Sequence, residues 1–322
     1  MSQDKLLGFE DITSRFATGL QEKRLHHAWL FYGVKGIGKA KLARALSEMY
    51  FCESPDFVHN QACGQCHACA MMYAESHPDF MRMELMLNPK TKKMNRDINI
   101  EQTREALGFL SLSGLKSQQR VVLIDGADLM NNQSANALLK GLEEPTPGSL
   151  LMIVCHDVMR LPATVRSRCM LQACAPLNAE DMEQVLNHQG LHQDLHDLAI
   201  DLGQGSPGSV SVLCDAEIAK ALLAWQQILK DLYKSDIGEL QAWLDKYVNK
   251  VPHNLIASMV IIAMQKNTVE KNMENPAWEK ADDIYQAAMA VASWPKEVLR
   301  HSLRPAPALL SYILRFRMAL KS

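Results

Sequence analysis

The chain of 322 residues is long enough for two or three domains, each with its own core. Apolar residues make up 48% and charged residues 22%, the balance of a soluble globular protein, and a formal net charge of −2 excludes the overall basic excess of a free-standing DNA binder. No uncharged apolar run of about 18 residues occurs, so no membrane-spanning helix is expected.

The N-terminal stretch "MSQDKLLGFEDITSRF" is charged and polar and reads as a helix rather than a signal peptide. With no secretion signal, the eight cysteines point to thiols and a metal rather than disulfides, and to a cytoplasmic protein. "AWLFY" (28–32) is a strand candidate and "KLARALSEMYF" a helix, with "GVKGIGKA" (33–40) between them. This is the layout of a phosphate-binding loop, GxxxxGK[ST], whose glycines let backbone amides approach a phosphate and whose lysine neutralises it. Gly33, Gly36, Gly38 and Lys39 are in place, but Ala40 stands where a hydroxyl would reach Mg²⁺.

Cys52, Cys63, Cys66 and Cys69 follow as C-x10-C-x2-C-x2-C. Thiolates at this spacing can turn onto one tetrahedral ion, and four of them close a structural zinc site with no open position for catalysis. Four unrelated cysteines, or a redox pair, are the competing readings, and His59 and His67 lie near enough to substitute as ligands. The segment between Cys52 and Cys63 is polar and needs no structure of its own.

"PDFMRMEL" (78–85) is a second, weaker strand, and "NPKTKKMNR" (88–96) is a basic stretch read first as a solvated loop and only weakly as a nucleic-acid contact. "INIEQTREALGFLSL" (98–112) has a helical apolar period. "RVVLID" (120–125) is a buried strand ending in Asp125, the place of a Walker B carboxylate that holds Mg²⁺. Gly126 follows where a second, catalytic carboxylate would stand, and Asp128 is expected to point elsewhere. Two groups needed for metal-assisted hydrolysis are thus missing together. ATP or ADP binding is left open by the residues alone, while hydrolysis by this chain alone is not expected.

"NQSANALLKGLEE" (132–144) puts Ala135, Leu138, Leu139 and Leu142 on one helical stripe, and Pro145 ends it. "LLMIVC" (150–155) is another buried strand. Strands alternating with helices predict a parallel sheet covered on both faces. Beyond about residue 172 come the short helical segments "NAEDMEQVLNHQ", "DLHDLAIDL" and "PGSVSVLCD", broken by "GQGSPG" (203–208), and from about 215 nearly everything is helical. The expectation is an α/β domain over 1–171 carrying the cysteine module at about 52–69, a small helical domain over 172–213 and an all-helical domain over 214–322. Cys155, Cys169, Cys174 and Cys214 are expected in or near cores, and Trp225, Trp243, Trp278 and Trp294 in cores and oligomer contacts.

"LLKGLEEPTPGSLLMIVCHDVMRLPATVRSRC" (138–169) resembles the signature of the AAA+ clamp-loader family, in which a helix leads into "LLKxLEEP", then a strand, then "SRC". With the cysteine module after the phosphate-loop helix, the chain is similar to the gamma/tau and delta-prime clamp-loader subunits of bacterial DNA polymerase III. The resemblance implies an AAA+ module, a helical lid and a helical collar, a structural Zn²⁺, and a hetero-pentameric ring with gamma/tau and delta subunits that acts on a sliding clamp and primer-template DNA.

Motor subunits of that family carry an intact GKT or GKS, a DE pair, a polar sensor at the end of the following strand and a lid arginine in "GSxR". Here Ala40 and Gly126 replace the first two, Cys155 and His156 stand at the sensor, and "GSPG" (205–208) puts Gly208 at the arginine's place. The SRC arginine, Arg168, is kept, which is the pattern of the delta-prime family. By resemblance Arg168 is an arginine finger for a neighbour's ATP, with Arg166 as fallback, because a guanidinium is permanently charged and presents forked donors. The chain itself is expected to have no independent activity, being a subunit of a DNA-directed DNA polymerase (nucleotidyltransferase) holoenzyme and of its clamp-loading ATPase. A catalytic gamma/tau-like motor, or a zinc-containing nucleic-acid-binding module, are the alternatives.

Overall fold

Three continuous apolar runs become the central strands, because a strand buried on both faces needs no polar alternation. They are β1 (Ala28–Tyr32), β3 (Arg120–Asp125) and β4 (Ser149–Cys155), with β2 (Phe80–Met83) and β5 (Met170–Ala173) at the edges. The sheet order is β2-β3-β4-β1-β5. Every pairing is parallel, with Leu30 opposite Ile153 and Val122 opposite Leu151 in the centre. The computed structural model describes residues 6–87, 92, 94–111, 119–274 and 281–321.

Successive side chains of each strand point to opposite faces, so the sheet separates two cores. On one face Trp29, Phe31, Val121, Leu123, Met152 and Val154 pack under α1 (Glu10–Gln21), α2 (Lys39–Phe51) and α3 (His67–Tyr73), through residues such as Phe16, Leu42, Leu46 and Met72. On the other face Leu30, Val122, Ile124 and Ile153 meet α4 (Ile100–Ser111), α5 (Asn132–Glu143) and α6 (Ala163–Arg166). The α5 stripe is as its period requires: Ala135, Leu138 and Leu142 are buried, and Leu139 packs at the margin. Asn131 caps α5 by accepting from the Ser134 amide.

The chain divides into two compact units, residues 1–188 with 204–209, and residues 189–203 with 210–322. The first unit also contains α7 (Ala179–His188). The second is helical: α8 (His196–Gly203), α9 (Ala216–Leu229), α10 (Ile237–Tyr247), α11 (His253–Glu274), α12 (Ala281–His301) and α13 (Pro305–Lys321). Its core stacks Trp225 on Trp243 at 4.3 Å and buries Trp294, Leu309, Ile313 and Phe316. The indole N–H of Trp243 donates to Ala221 O (2.8 Å) and that of Trp294 to Pro305 O (3.1 Å). Trp278 lies outside the described residues.

Several expectations need correction. Among the described residues of that stretch, 6–16, the helix starts only at Glu10; residues 1–5 lie outside the described residues. "PGSVSVLCD", read as a short helical segment, is helical only as two 3₁₀ turns, Pro207–Ser209 and Ser211–Cys214. Asp215 accepts from the Glu217 and Ile218 amides and so starts α9 afresh, which leaves Cys214 exposed on the turn before it. Cys155, Cys169 and Cys174 are buried as expected. Of the basic stretch 88–96, residues 88–91 and 93 lie outside the described residues. Among the described residues no helix is long and apolar enough to cross a membrane.

Candidate phosphate and metal sites

In a parallel α/β sheet ligands bind beyond the carboxyl ends of the strands. β1 ends there at Tyr32 and passes into the glycine loop, where Gly33, Gly36 and Gly38 have φ of 146°, 89° and 101°. Lys39 opens α2 and is only 3% exposed. Its ammonium does not project into open space; it donates to Gly33 O and Val34 O, both at 2.6 Å. Burial holds its pKa below the usual lysine value, opposed by the neighbouring Cys174, Cys155, Asp128 and Asp125. Ala40 turns toward the apolar core beneath α2.

The loop is also clasped from outside. Ser206 Oγ donates to Lys35 O (2.7 Å) and the Gly208 amide to Gly36 O (2.9 Å). The two glycines meet backbone to backbone: a Cβ on Gly208 would lie 2.7 Å from Gly36 O, and one on Gly36 would lie 2.6 Å from Ser206 Oγ. No side chain fits at 208 unless one of the two segments moves. Glycine at 208 is therefore what this close seating on Gly36 requires.

The acidic groups beyond the strand ends are paired with protein groups. Asp125, at the end of β3, accepts from Arg82 Nη2 of β2 at 2.8 Å, so this carboxylate already has a cation beside it. Gly126 has φ +85°, a conformation a glutamate would adopt only under strain. Asp128, in the following 3₁₀ turn, is 7% exposed and accepts from the His156 amide at 2.9 Å. It thus faces the end of β4 and also lies close enough to Lys39 to act on its charge. Burial, then Asp128, pushes the Cys155 thiol up to about 12. Burial, then Lys39, holds His156 below the usual histidine value, and its buried Nδ1 has no hydrogen-bond partner among the described residues.

On the opposite face, the turn between α6 and β5 carries Arg168. Its Nη1 donates to Thr164 O (2.9 Å) and its Nη2 pairs with Glu143 Oε1 at the end of α5 (2.8 Å). The arginine is about a third exposed. Arg166 is placed differently: its Nη1 faces Met159 Sδ at 3.4 Å and its buried Nε is unpartnered among the described residues.

The four predicted metal ligands converge. All Sγ atoms of Cys52, Cys63, Cys66 and Cys69 lie within 4.8 Å of one another, with Cys63–Cys69 and Cys52–Cys66 at 4.0 Å. Four thiolates about 2.3 Å from one ion stand about 3.8 Å apart, so the set fits a tetrahedral metal such as zinc. Cys52 ends α2 and Cys66 caps α3. Amides point at the sulfurs, Cys63 N at Cys52 (3.2 Å) and Cys66 N at Cys63 (3.3 Å). Donation from the Gln65 and Cys66 amides draws Cys63 down to about 6, whereas burial raises Cys69.

His59 and His67 are exposed, and His59 Nδ1 is taken by Asp56 (2.7 Å), so neither joins the cluster. The linking segment, read as needing no structure of its own, closes a small hairpin: Asp56 and Gln61 exchange backbone hydrogen bonds of 2.8 and 3.0 Å, bringing Cys63 back beside Cys52.

Sequence reasoning missed Arg82, Ser206 and Glu143. An arginine between two methionines in an edge strand carries no local sign of its partner. Glu143 lies within the quoted 138–169 signature, but its pairing with Arg168 depends on the fold.

A parallel sheet with a glycine loop after its first strand and a carboxylate at the end of its third has the layout of a P-loop α/β protein. The family model "DNA polymerase III, delta subunit" matches residues 8–178, just over half of the chain. The chain belongs to that family, as one of its delta-prime clamp-loader subunits.

The delta-prime subunit of Pseudomonas aeruginosa is 38% identical over 148 residues, 46% of this chain and 43% of the relative. That of Escherichia coli is 31% identical over 206 residues, 64% and 58% respectively. The tau subunit of Escherichia coli is 30% identical over 57% of this chain and 27% of its own. The matched region thus spans about half the length of the delta-prime relatives. A gamma subunit-related protein of known structure from Thermotoga maritima aligns over 95% of this chain and 99% of its own, with 17% identity and a TM-score of 0.49.

Proposed function

We propose that the chain is the non-hydrolysing position of a DNA polymerase III clamp-loader ring. It completes the ATPase ring and presents Arg168, with Arg166 as the fallback, to the ATP of a neighbouring subunit. One observation carries this reading: Asp125, the carboxylate that would hold magnesium, is already paired with Arg82, while Arg168 stands more than a third exposed. Ala40, Gly126 and Gly208 remove the remaining groups that metal-assisted hydrolysis would need. Transition-state charge on a transferring phosphoryl group is where a permanently charged, forked donor acts, with effects on the order of 10³–10⁵ in rate in other NTPases.

In this reading residues 1–171 form the AAA+ module, 172–213 the lid and 214–322 the collar. The ring partners are gamma/tau and delta subunits, and the assembly places a sliding clamp on primer-template DNA in the cytoplasm. Cys52, Cys63, Cys66 and Cys69 would hold zinc, whose chemistry there is purely structural. The four thiolates tie the end of α2 to the start of α3 and leave no position for a reactant. Gly33, Gly36, Gly38, Lys39, Ala40 and Asp125 are a degenerate nucleotide site, in which the Lys39 ammonium is bonded to the loop's own carbonyls.

The isolated chain should show no ATP turnover with magnesium present, while a ring reconstituted with gamma/tau and delta subunits hydrolyses ATP only when this chain is included. Brisk turnover by the isolated chain would establish the motor reading instead.

A further inference from the structure

We propose that Glu143 is a positioning residue for Arg168, the counter-ion that a neighbouring subunit's ATP phosphate displaces. The inference rests on Arg168 acting in trans.

The guanidinium is held at two points that come from different elements. Thr164 O, within α6, takes Nη1 at 2.9 Å, and Glu143 Oε1, the last residue of α5, takes Nη2 at 2.8 Å. These two contacts fix the plane of the group before any partner arrives. Carboxylate and phosphate offer a guanidinium the same kind of paired acceptor oxygens, so the Nη2 donor held by Glu143 is the one an incoming phosphate competes for. The carbonyl of Thr164 carries no net charge and stays in place as the hinge.

The strength of the contact suits exchange. The side chains are 38% and 49% exposed, and ion pairs with that much water access are weak, so displacing Glu143 shifts the affinity for an incoming phosphate by no more than about five-fold. The pair keeps an unpaired cation off other anions, yet gives way to a triphosphate. Arg166 has no such arrangement: its guanidinium meets a thioether sulfur, and its Nε is enclosed by protein.

The test is an ATP titration of clamp-stimulated hydrolysis by the complete reconstituted loader. Glu143→Gln keeps the length of the side chain and an acceptor oxygen but removes the charge. It is expected to lower KM for ATP about two- to five-fold with kcat little changed, the pattern of a ground-state contact removed. The difference should shrink when salt is raised from about 0.05 M to about 0.5 M, since exposed pairs are screened. It should also vanish in an Arg168→Ala background.

An unchanged KM in Glu143→Gln overturns the proposal, and so does a lowered KM that persists with Arg168→Ala. If Arg168→Ala alone leaves hydrolysis untouched, the trans-acting reading itself fails, a separate outcome.

Discussion

Replacing Gly208 by alanine tests whether the loop over 204–209 is seated on the phosphate loop. The added Cβ would stand 2.7, 2.9 and 3.2 Å from the O, Cα and C of Gly36, all backbone atoms that no rotamer change can move aside. Either strain stays in place or the loop lifts, and lifting breaks the Gly208–Gly36 and Ser206–Lys35 hydrogen bonds. Each such bond contributes about 0.5–1.5 kcal/mol net, and overpacking by a methyl costs about 1–3 kcal/mol, so either route costs about 1–3 kcal/mol. Urea denaturation followed by far-ultraviolet circular dichroism measures it.

Gly108→Ala is the control: it lies within α4, a Cβ there meets nothing within 4 Å, and the gain in helix propensity should stabilise by about 0.8–1 kcal/mol. If Gly208→Ala is as stable as wild type while Gly108→Ala behaves as expected, the backbone-to-backbone seating is wrong. The packing reason for glycine at 208 would go with it.

The purified chain should carry one zinc ion, and Cys66→Ser should lower both the zinc content by atomic absorption and the thermal midpoint, because a structural metal contributes directly to folding. In the zinc-loaded chain at pH 8, the exposed Cys214 should react first with a thiol reagent, ahead of the buried Cys155, Cys169 and Cys174. Burial raises those three thiols to about 12, about 12 and about 11 from an ordinary 9.0. A raised folded-state pKa gives stability that is whole below about pH 9 and is lost as pH climbs toward 11–12. The denaturation midpoint should therefore hold through pH 8.5 and fall above pH 9. Trp243→Phe removes the bond to Ala221 O and should cost about 1–3 kcal/mol, read in the same urea assay.

The sheet was legible because burial on both faces leaves its mark in the sequence itself. The runs 28–32 and 120–125 are the strands residue for residue, and 150–155 misses only Ser149. The cysteine cluster was legible because its ligands are close in sequence and one tetrahedral geometry accounts for their spacing. What stayed hidden depends on contacts between distant segments. Gly208 reads in sequence as an absent arginine; only in the fold is it seen that nothing larger than glycine fits against Gly36. Asp125 reads as a metal ligand waiting for its ion, and only the β2–β3 pairing brings Arg82 to it. The 207–214 segment, read as short and helical, takes 3₁₀ turns because Pro207, Gly208, Val210 and Val212 are poor α-helix formers.

The most direct measurement is ATP turnover in the reconstituted ring with Arg168→Ala, with assembly checked by gel filtration. The account predicts that the ring still forms while turnover at the adjoining ATP site drops on the order of 10³-fold or more. Undiminished clamp-stimulated hydrolysis in that variant would contradict it.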